Sequence, residues 1–252
     1  MITANRSDIG RIRTVNEDQS WAVSGRPGHA LAIVADGMGG HQAGDVASEL
    51  AVEAFREATQ ASVTGVLSGA EAELLIRQAI LQANEVVYGI ASQNEQYHNM
   101  GTTVVAALIQ DKLGVIGHIG DSRAYHIRGE QMKQITEDHT LVNELAKSGQ
   151  ISAEEAANHP RRNVLTRALG TDSQVEVDLL TIDWQPGDIL LLCSDGLSNM
   201  IDDAHMLETV LAPDLDLDAK ADRLVELALQ AGGDDNITVV LLQSKTGTGQ
   251  EG

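Results

Sequence analysis

The chain has 252 residues, 42% of them hydrophobic and 21% charged, an ordinary globular composition with room for one large domain or two small ones of about 150 residues. A formal net charge of −20, with no run of Lys and Arg, argues against nucleic acid and anionic lipid as partners; it favours solubility and supplies carboxylates that can hold divalent cations. Cys193 is the only cysteine, which excludes an intramolecular disulfide and argues against a Cys-based zinc site; no stretch reaches the roughly 20 apolar residues of a membrane span.

The N-terminal residues Arg6, Asp8, Arg11, Arg13, Glu17 and Asp18 include no apolar leader, so the expectation is a cytoplasmic protein. Residues 19–36 read as two strands around a Gly/Pro turn. The second, 30–35, is apolar throughout, as a strand buried on both faces would be, and stops at Asp36-Gly37-Met38-Gly39-Gly40. A helix is expected from Gly44-Asp45, with Val46, Leu50, Ala54 and Ala58 on one face. A second, over 71–95, carries Ile76, Ala79, Ile80, Ala83, Val87 and Ile90, and the two are expected to lie side by side on one sheet. Runs at 102–109, 113–119, 122–127 and 131–135 read as a β-meander with turns at Asp111-Lys112, Gly120-Asp121 and Arg128-Gly129-Glu130.

Residues 138–170 are polar, with short helical pieces and a His159-Pro160 break, and read as an insert or lid. Strands resume at 174–183 and 188–193, the latter taking Cys193 as a buried small hydrophobe. A helix over 216–231 and a strand over 237–242 follow, and the Gly/Thr/Gln-rich residues 244–252 read as a frayed tail. Strands, two helices, strands, helix, strand is an α+β order with packed sheets and outer helices, not a βαβ repeat.

The acids recur at strand ends. Asp36 and Asp195 each follow an apolar strand and precede glycine. Asp121 lies between two strands, Asp235 sits in a Gly-rich turn before the last strand, and Glu17-Asp18 precede the first strong one. Carboxylates held at converging strand ends suit hard cations such as Mg²⁺ or Mn²⁺, and a glycine after the aspartate lets a carbonyl approach the ion. Each Asp-Gly is also a common turn dipeptide, so composition and placement leave both readings open. Such a cluster cannot stay ionised without cations, so a metal reading implies loss of activity with chelator.

Six ordered motifs carry a more specific signal: Arg13-Thr14-Val15-Asn16-Glu17-Asp18, Asp36-Gly37-Met38-Gly39-Gly40-His41, Gly101-Thr102-Thr103, Ile119-Gly120-Asp121-Ser122-Arg123, Ser194-Asp195-Gly196-Leu197 and Asp235-Asn236-Ile237-Thr238. With these the chain resembles the bacterial metal-dependent protein phosphatases of the protein phosphatase 2C type. The resemblance implies an α/β/β/α sandwich of two antiparallel sheets between helix pairs. It implies a domain over 1–243 with a flap near 139–165, and hydrolysis of phosphoserine and phosphothreonine in proteins by a metal-activated water, opposing a Ser/Thr kinase.

It also implies two core Mn²⁺ or Mg²⁺ ions. Asp36 would bridge them, Asp195 and Asp235 completing one, Glu17 and the Gly37 carbonyl serving the other, with Asp18 in support through water. Asp121, with Asp195, would form a weaker third position, and Arg13 would bind the substrate phosphate. Met38 departs from relatives with histidine there and cannot donate a proton. His41 or a bound water could substitute, or His41 could only brace the turn; Asn236 is a supporting candidate, and the leaving-group acid stays unassigned.

His139 and His159 fall in the flap and are expected within reach of substrate, His118 in strand packing, and Arg161-Arg162 either near phosphopeptide or in solvent. A monomer is expected. Two rivals are a dead phosphoprotein-binding domain, against which Asp36, Asp195 and Asp235 are all present, and a nuclease, against which the acidic composition speaks.

Overall fold

The computed structural model describes residues 1–25, 28–39, 43–60 and 65–244. His41 and the expected tail beyond Ser244 lie outside these residues. In chain order the strands are β1 (Ile2–Asp8), β2 (Asp18–Val23), β3 (His29–Met38), β4 (Gly101–Thr102), β5 (Val104–Gln110), β6 (Leu113–Ile119), β7 (Arg123–Arg128), β8 (Gln131–Gln134), β9 (Asp178–Asp183), β10 (Ile189–Cys193) and β11 (Ile237–Gln243). The helices are α1 (Gly44–Gln60), α2 (Gly69–Gln93), α3 (Leu141–Lys147), α4 (Ala153–Ala157), α5 (Asp195–Ser198), α6 (Asp203–Leu211) and α7 (Leu217–Ala231).

The strands form two antiparallel sheets, ordered β1-β11-β10-β7-β8 and β2-β3-β5-β6-β9, with β4 pairing β3. Period-two alternation divides their side chains between three apolar layers. On β3 and β5, Leu31, Ile33, Ala35, Val104, Ala106 and Leu108 face α1 and α2, packing with Phe55, Ile76 and Ile80. On β10 and β11, Ile189, Leu191, Cys193, Val239 and Leu241 pack with Met206, Leu224 and Ala228 of α6 and α7. The alternate residues Ala30, Ala32, Val34, Val105, Ala107, Leu190, Leu192 and Val240 fill the space between the sheets around Trp184. Helices cover both outer faces, so the antiparallel inner strands β3, β5, β10 and β11 read as apolar runs. The α/β/β/α sandwich and the side-by-side packing of α1 and α2 match the sequence expectation.

One expectation is corrected, and three elements are added to it. Residues 102–135 are not one meander: β5 and β6 belong to one sheet and β7 and β8 to the other, so Gly120-Asp121 carries the chain across the sandwich. β1 was not anticipated; it pairs along its length with β11, Asp8 opposite Ile237 and Ile2 opposite Gln243. Helices α5 and α6 were not anticipated either.

Candidate active site

The layer between the sheets is apolar along most of its length and polar at one end. Continuing the inward faces of their strands, Val34 leads to Asp36, Val105 to Thr103, Leu192 to Ser194, Ala124 to Ser122, and Val240 to Thr238 and Asn236. Hydrogen bonds tie these ends across the gap. The hydroxyls of Thr103 and Ser122 lie 2.7 Å apart, and Thr103 Oγ1 accepts the Asp36 N–H at 3.0 Å. Ser194 Oγ donates to Asp18 Oδ2 at 2.7 Å and accepts the Thr238 N–H at 2.9 Å. Asp18 sits directly opposite Asp36 in the β2–β3 ladder.

The loop between β1 and β2 carries Arg13 and Glu17, and Asn236 clamps it. Its amide donates to the carbonyls of Ile9 and Val15 at 2.9 and 3.0 Å, and its oxygen accepts the Glu17 N–H at 2.8 Å. Gly37 lies against the start of α1, where a Cβ would come within 2.0 Å of the Gly44 carbonyl oxygen and 2.6 Å of that of Glu17. Only glycine allows this close approach.

A pocket of about 220 Å³ opens here, lined by Arg13, Glu17, Asp36, Gly37, Asp121, Asp195, Asp235 and Asn236, with Met38, Gly39, Thr103, Asn163 and Leu165 completing the wall. Asp18 is buried beneath it, 2% exposed. Arg13 lies at the lip, with Nη2 2.6 Å from Asp235 and Nη1 3.9 Å from Glu17. Asn199 donates to Asp195 at 3.0 Å.

Burial, then mutual repulsion, makes these acids hard to ionise. Asp36 is pushed well above the usual carboxylate range by burial and by Asp18, Asp195, Asp121 and Asp235. Burial raises Asp18 to about 7, Asp121 to about 7 with Asp195 adding to it, and Asp195 to about 6 with Asp235 adding to it. Burial also raises Glu17. The Asp36 and Asp195 carboxyls are within hydrogen-bonding reach of one another, and Asp18 Oδ1 is buried with no hydrogen-bond partner. An all-oxygen set in mutual contact, with an unsatisfied oxygen below it, fits hard divalent cations.

The family model for protein phosphatase 2C matches residues 11–228. The chain belongs to the protein phosphatase 2C family. This phosphatase is 45% identical over 238 residues to the serine/threonine phosphatase stp of Listeria innocua, covering 94% of each chain. Its fold is similar to that of the Mycobacterium tuberculosis serine/threonine phosphatase PstP/Ppp, with TM-score 0.86 and 38% identity over 97% of this chain and 98% of that one. It is similar also to the catalytic domain of PstP in complex with two manganese ions, with TM-score 0.82 and 37% identity over 95% and 96%. As a family member it is a metal-dependent protein phosphatase.

Every sequence-predicted site residue within the described set meets at this end of the phosphatase: Arg13, Glu17, Asp36, Gly37, Asp121, Asp195, Asp235 and Asn236 line the pocket, and Asp18 lies under it. The sequence reading gave no role to Thr103, Ser122, Ser194 or Asn199, although three of them fall inside the quoted motifs. Their signal was a hydroxyl on the strand face that leads inward to an acid.

The segment expected as a flap stands beside the pocket. It holds α3 and α4, Val142 is the only buried residue of these two helices, and its Asn163 and Leu165 reach the pocket wall. A cleft of about 680 Å³ between it and the body is lined by Asp121, Arg123, Asn143, Ala156, Arg162 and Asn199, among others. The expectation for His139 is corrected: only 7% exposed, it does not line the pocket, because its ring is taken up by Gly120 and Asp178.

Proposed function

We infer that this phosphatase hydrolyses phosphoserine and phosphothreonine esters of proteins at the 220 Å³ pocket, with residues 1–243 as one catalytic domain and 139–165 as its flap. The observation that supports the reading is the meeting of Asp36, Asp121, Asp195 and Asp235 around one opening, where burial and mutual repulsion raise the carboxyls of Asp36, Asp121 and Asp195 and cations would relieve that repulsion. Asp36 would bridge two ions. Asp195 and Asp235 would hold one, Glu17 and the Gly37 carbonyl the other, and Asp121 with Asp195 a weaker third. Mn²⁺ or Mg²⁺ suits these donors. Bound divalent cations lower the pKa of coordinated water and neutralise phosphoryl oxygens.

The chain's own residues do the remaining work. Arg13 is exposed at the lip on a loop that Asn236 fixes, and its fork of N–H donors would take two oxygens of an incoming phosphate. Ser194 and the Thr238 backbone hold Asp18 beneath the cluster. Cys193, fully buried with its thiol pushed up to about 12 by that burial, is a spectator. No helix of the described residues is long and apolar enough to cross a membrane. A cytoplasmic monomer acting on the targets of a Ser/Thr kinase fits the acidic composition.

The test begins with chelator-stripped protein. Turnover of p-nitrophenyl phosphate and of phosphoserine and phosphothreonine peptides is followed as Mn²⁺ or Mg²⁺ returns, beside Asp36→Ala. Metal-restored hydrolysis that the variant lacks, by 10²-fold or more, is the expected result. Folded protein without turnover on any phosphomonoester would rule the reading out.

A further inference from the structure

Behind the pocket wall His118, His139 and Asp178 form a second cluster, whose possible ligand atoms lie within 4.8 Å of one another. Such a set can hold a metal ion, but here a cation is already supplied. Arg167 Nη2 donates to Asp178 Oδ1 at 2.7 Å, and Nη1 stands 2.9 Å from His139 Nε2.

The hydrogen bonds fix the imidazole's proton. The Gly120 N–H donates to His139 Nδ1 at 2.9 Å, so that nitrogen carries no hydrogen. The ring proton is therefore on Nε2, which donates to Asp178 Oδ2 at 3.1 Å. The guanidinium cannot also donate to Nε2; its partners are Asp178 and the Glu176 carbonyl. The backbone is tied at the same place. His139 N–H donates to the Gly120 carbonyl at 2.8 Å, and the His139 carbonyl accepts Thr166 N–H at 2.9 Å.

Gly120 is thus held at both its N–H and its C=O by one residue, in a conformation (φ +110°) where a Cβ would meet Thr103 at 2.6 Å. The next residue is Asp121. Among the described residues no side chain donates a hydrogen bond to the Asp121 carboxylate, so its aim depends on the turn that carries it. That turn spans only residues 120–122, between a ladder that ends at Ile119 opposite Val104 in one sheet and a ladder that begins at Arg123 opposite Cys193 in the other, so a contact on Gly120 acts directly on the residue beside it.

We propose that His139, held by Asp178 and Arg167, is a positioning residue that aims Asp121 and thereby sets the affinity of the weakest cation position. The proposal rests on the reading of Asp121 as a ligand. It distinguishes His139 from a residue that only stabilises the fold, because the effect is confined to one of several binding events. Partners of metal ligands commonly change metal affinity by about 10–100-fold when removed.

Calorimetric titration of the metal-stripped full chain with Mn²⁺ tests it. Asp121→Ala should abolish the weakest event. His139→Ala should weaken that event about tenfold and leave the tighter ones unchanged. His139→Asn, whose carbonyl oxygen can take the Gly120 N–H in place of Nδ1, should restore most of the affinity. Should His139→Ala not fold, Asp178→Ala serves, at a side chain 38% exposed, with a smaller selective weakening expected. A weakest event lost in Asp121→Ala but untouched in the His139 and Asp178 variants overturns the positioning role alone. Equal weakening of every event, without rescue by Asn, reduces His139 to a structural part and also overturns it. An Asp121→Ala protein that titrates like the wild type removes the ligand reading and the proposal with it.

Discussion

At the scale of single residues the pocket depends on side chains whose hydrogen bonds are spent on the backbone around it. Asn236 is 3% exposed and satisfies three backbone groups of the loop that presents Arg13 and Glu17. Asn236→Ala leaves those groups without partners, at about 1–3 kcal/mol for a buried unsatisfied group. Urea unfolding should show a loss of that order, and phosphate-ester KM should rise as the loop loosens; an unchanged midpoint would show the clamp to be redundant. Asp36, Asp121 and Asp195 were legible in the sequence because each follows an apolar strand, as Val34 leads to Asp36; Glu17, Asp18 and Asp235, which precede strands, were legible through their motifs. The His139–Asp178–Arg167 cluster was not legible. Its members lie 39 and 28 positions apart, and a histidine after a polar aspartate carries no local sign of burial. Ser194 falls within a motif, but its acceptor, Asp18, is 176 positions away, so no local pattern assigns it a partner.

Among the elements, those with strong periodicity were the readable ones. α1 and α2 keep an apolar stripe over 17 and 25 residues, and β3, β5, β10 and β11 are apolar on both faces because both sheets are covered on both faces. β1 gave no such signal: of Ile2–Asp8 only Ala4 is buried, since the strand lies at a sheet edge. The break between β6 and β7 was unreadable for a different reason. A glycine-aspartate pair makes a hairpin turn as easily as a crossing between sheets, and only the tertiary packing of Ala124 against the inner layer decides. The start of α2 is specified locally. Ser68 and Glu71 form a reciprocal capping box, Ser68 Oγ taking the Glu71 N–H and the Glu71 carboxylate taking the Ser68 N–H at 2.8 Å. Ser68→Ala should cost about 1 kcal/mol of stability in chemical denaturation. Metal-restored turnover should be unchanged, since the cap lies away from the pocket; a fall in turnover would link α2 to the site.

For the molecule as a whole, the acid cluster ties stability to pH and to cations. Unfolded aspartates titrate near 3.9. In the metal-stripped fold Asp18 and Asp121 titrate near 7 and Asp195 near 6, so the folded state binds more protons than the unfolded one across that window. Their contribution is therefore fully present below about 4 and is lost as pH rises through 6–7. Cations reverse the trend, since they bind the ionised carboxylates of the native state. The increase in Tm on adding Mn²⁺ should be larger at pH 8 than at pH 5.5, by differential scanning fluorimetry. An equal or smaller increase at pH 8 would mean that the ions bind elsewhere. The order of assembly follows from the place of β11. It lies between β1 and β10, pairs residues 2–8 with 237–243, and begins just after Asp235 and Asn236. A chain still being made on the ribosome has neither the strand that seats β1 nor the amide that clamps the Arg13 loop. The catalytic centre can form only after residues 237–243 have left the exit tunnel, so a nascent chain stays inactive until that segment emerges, however early the acids before it have been made.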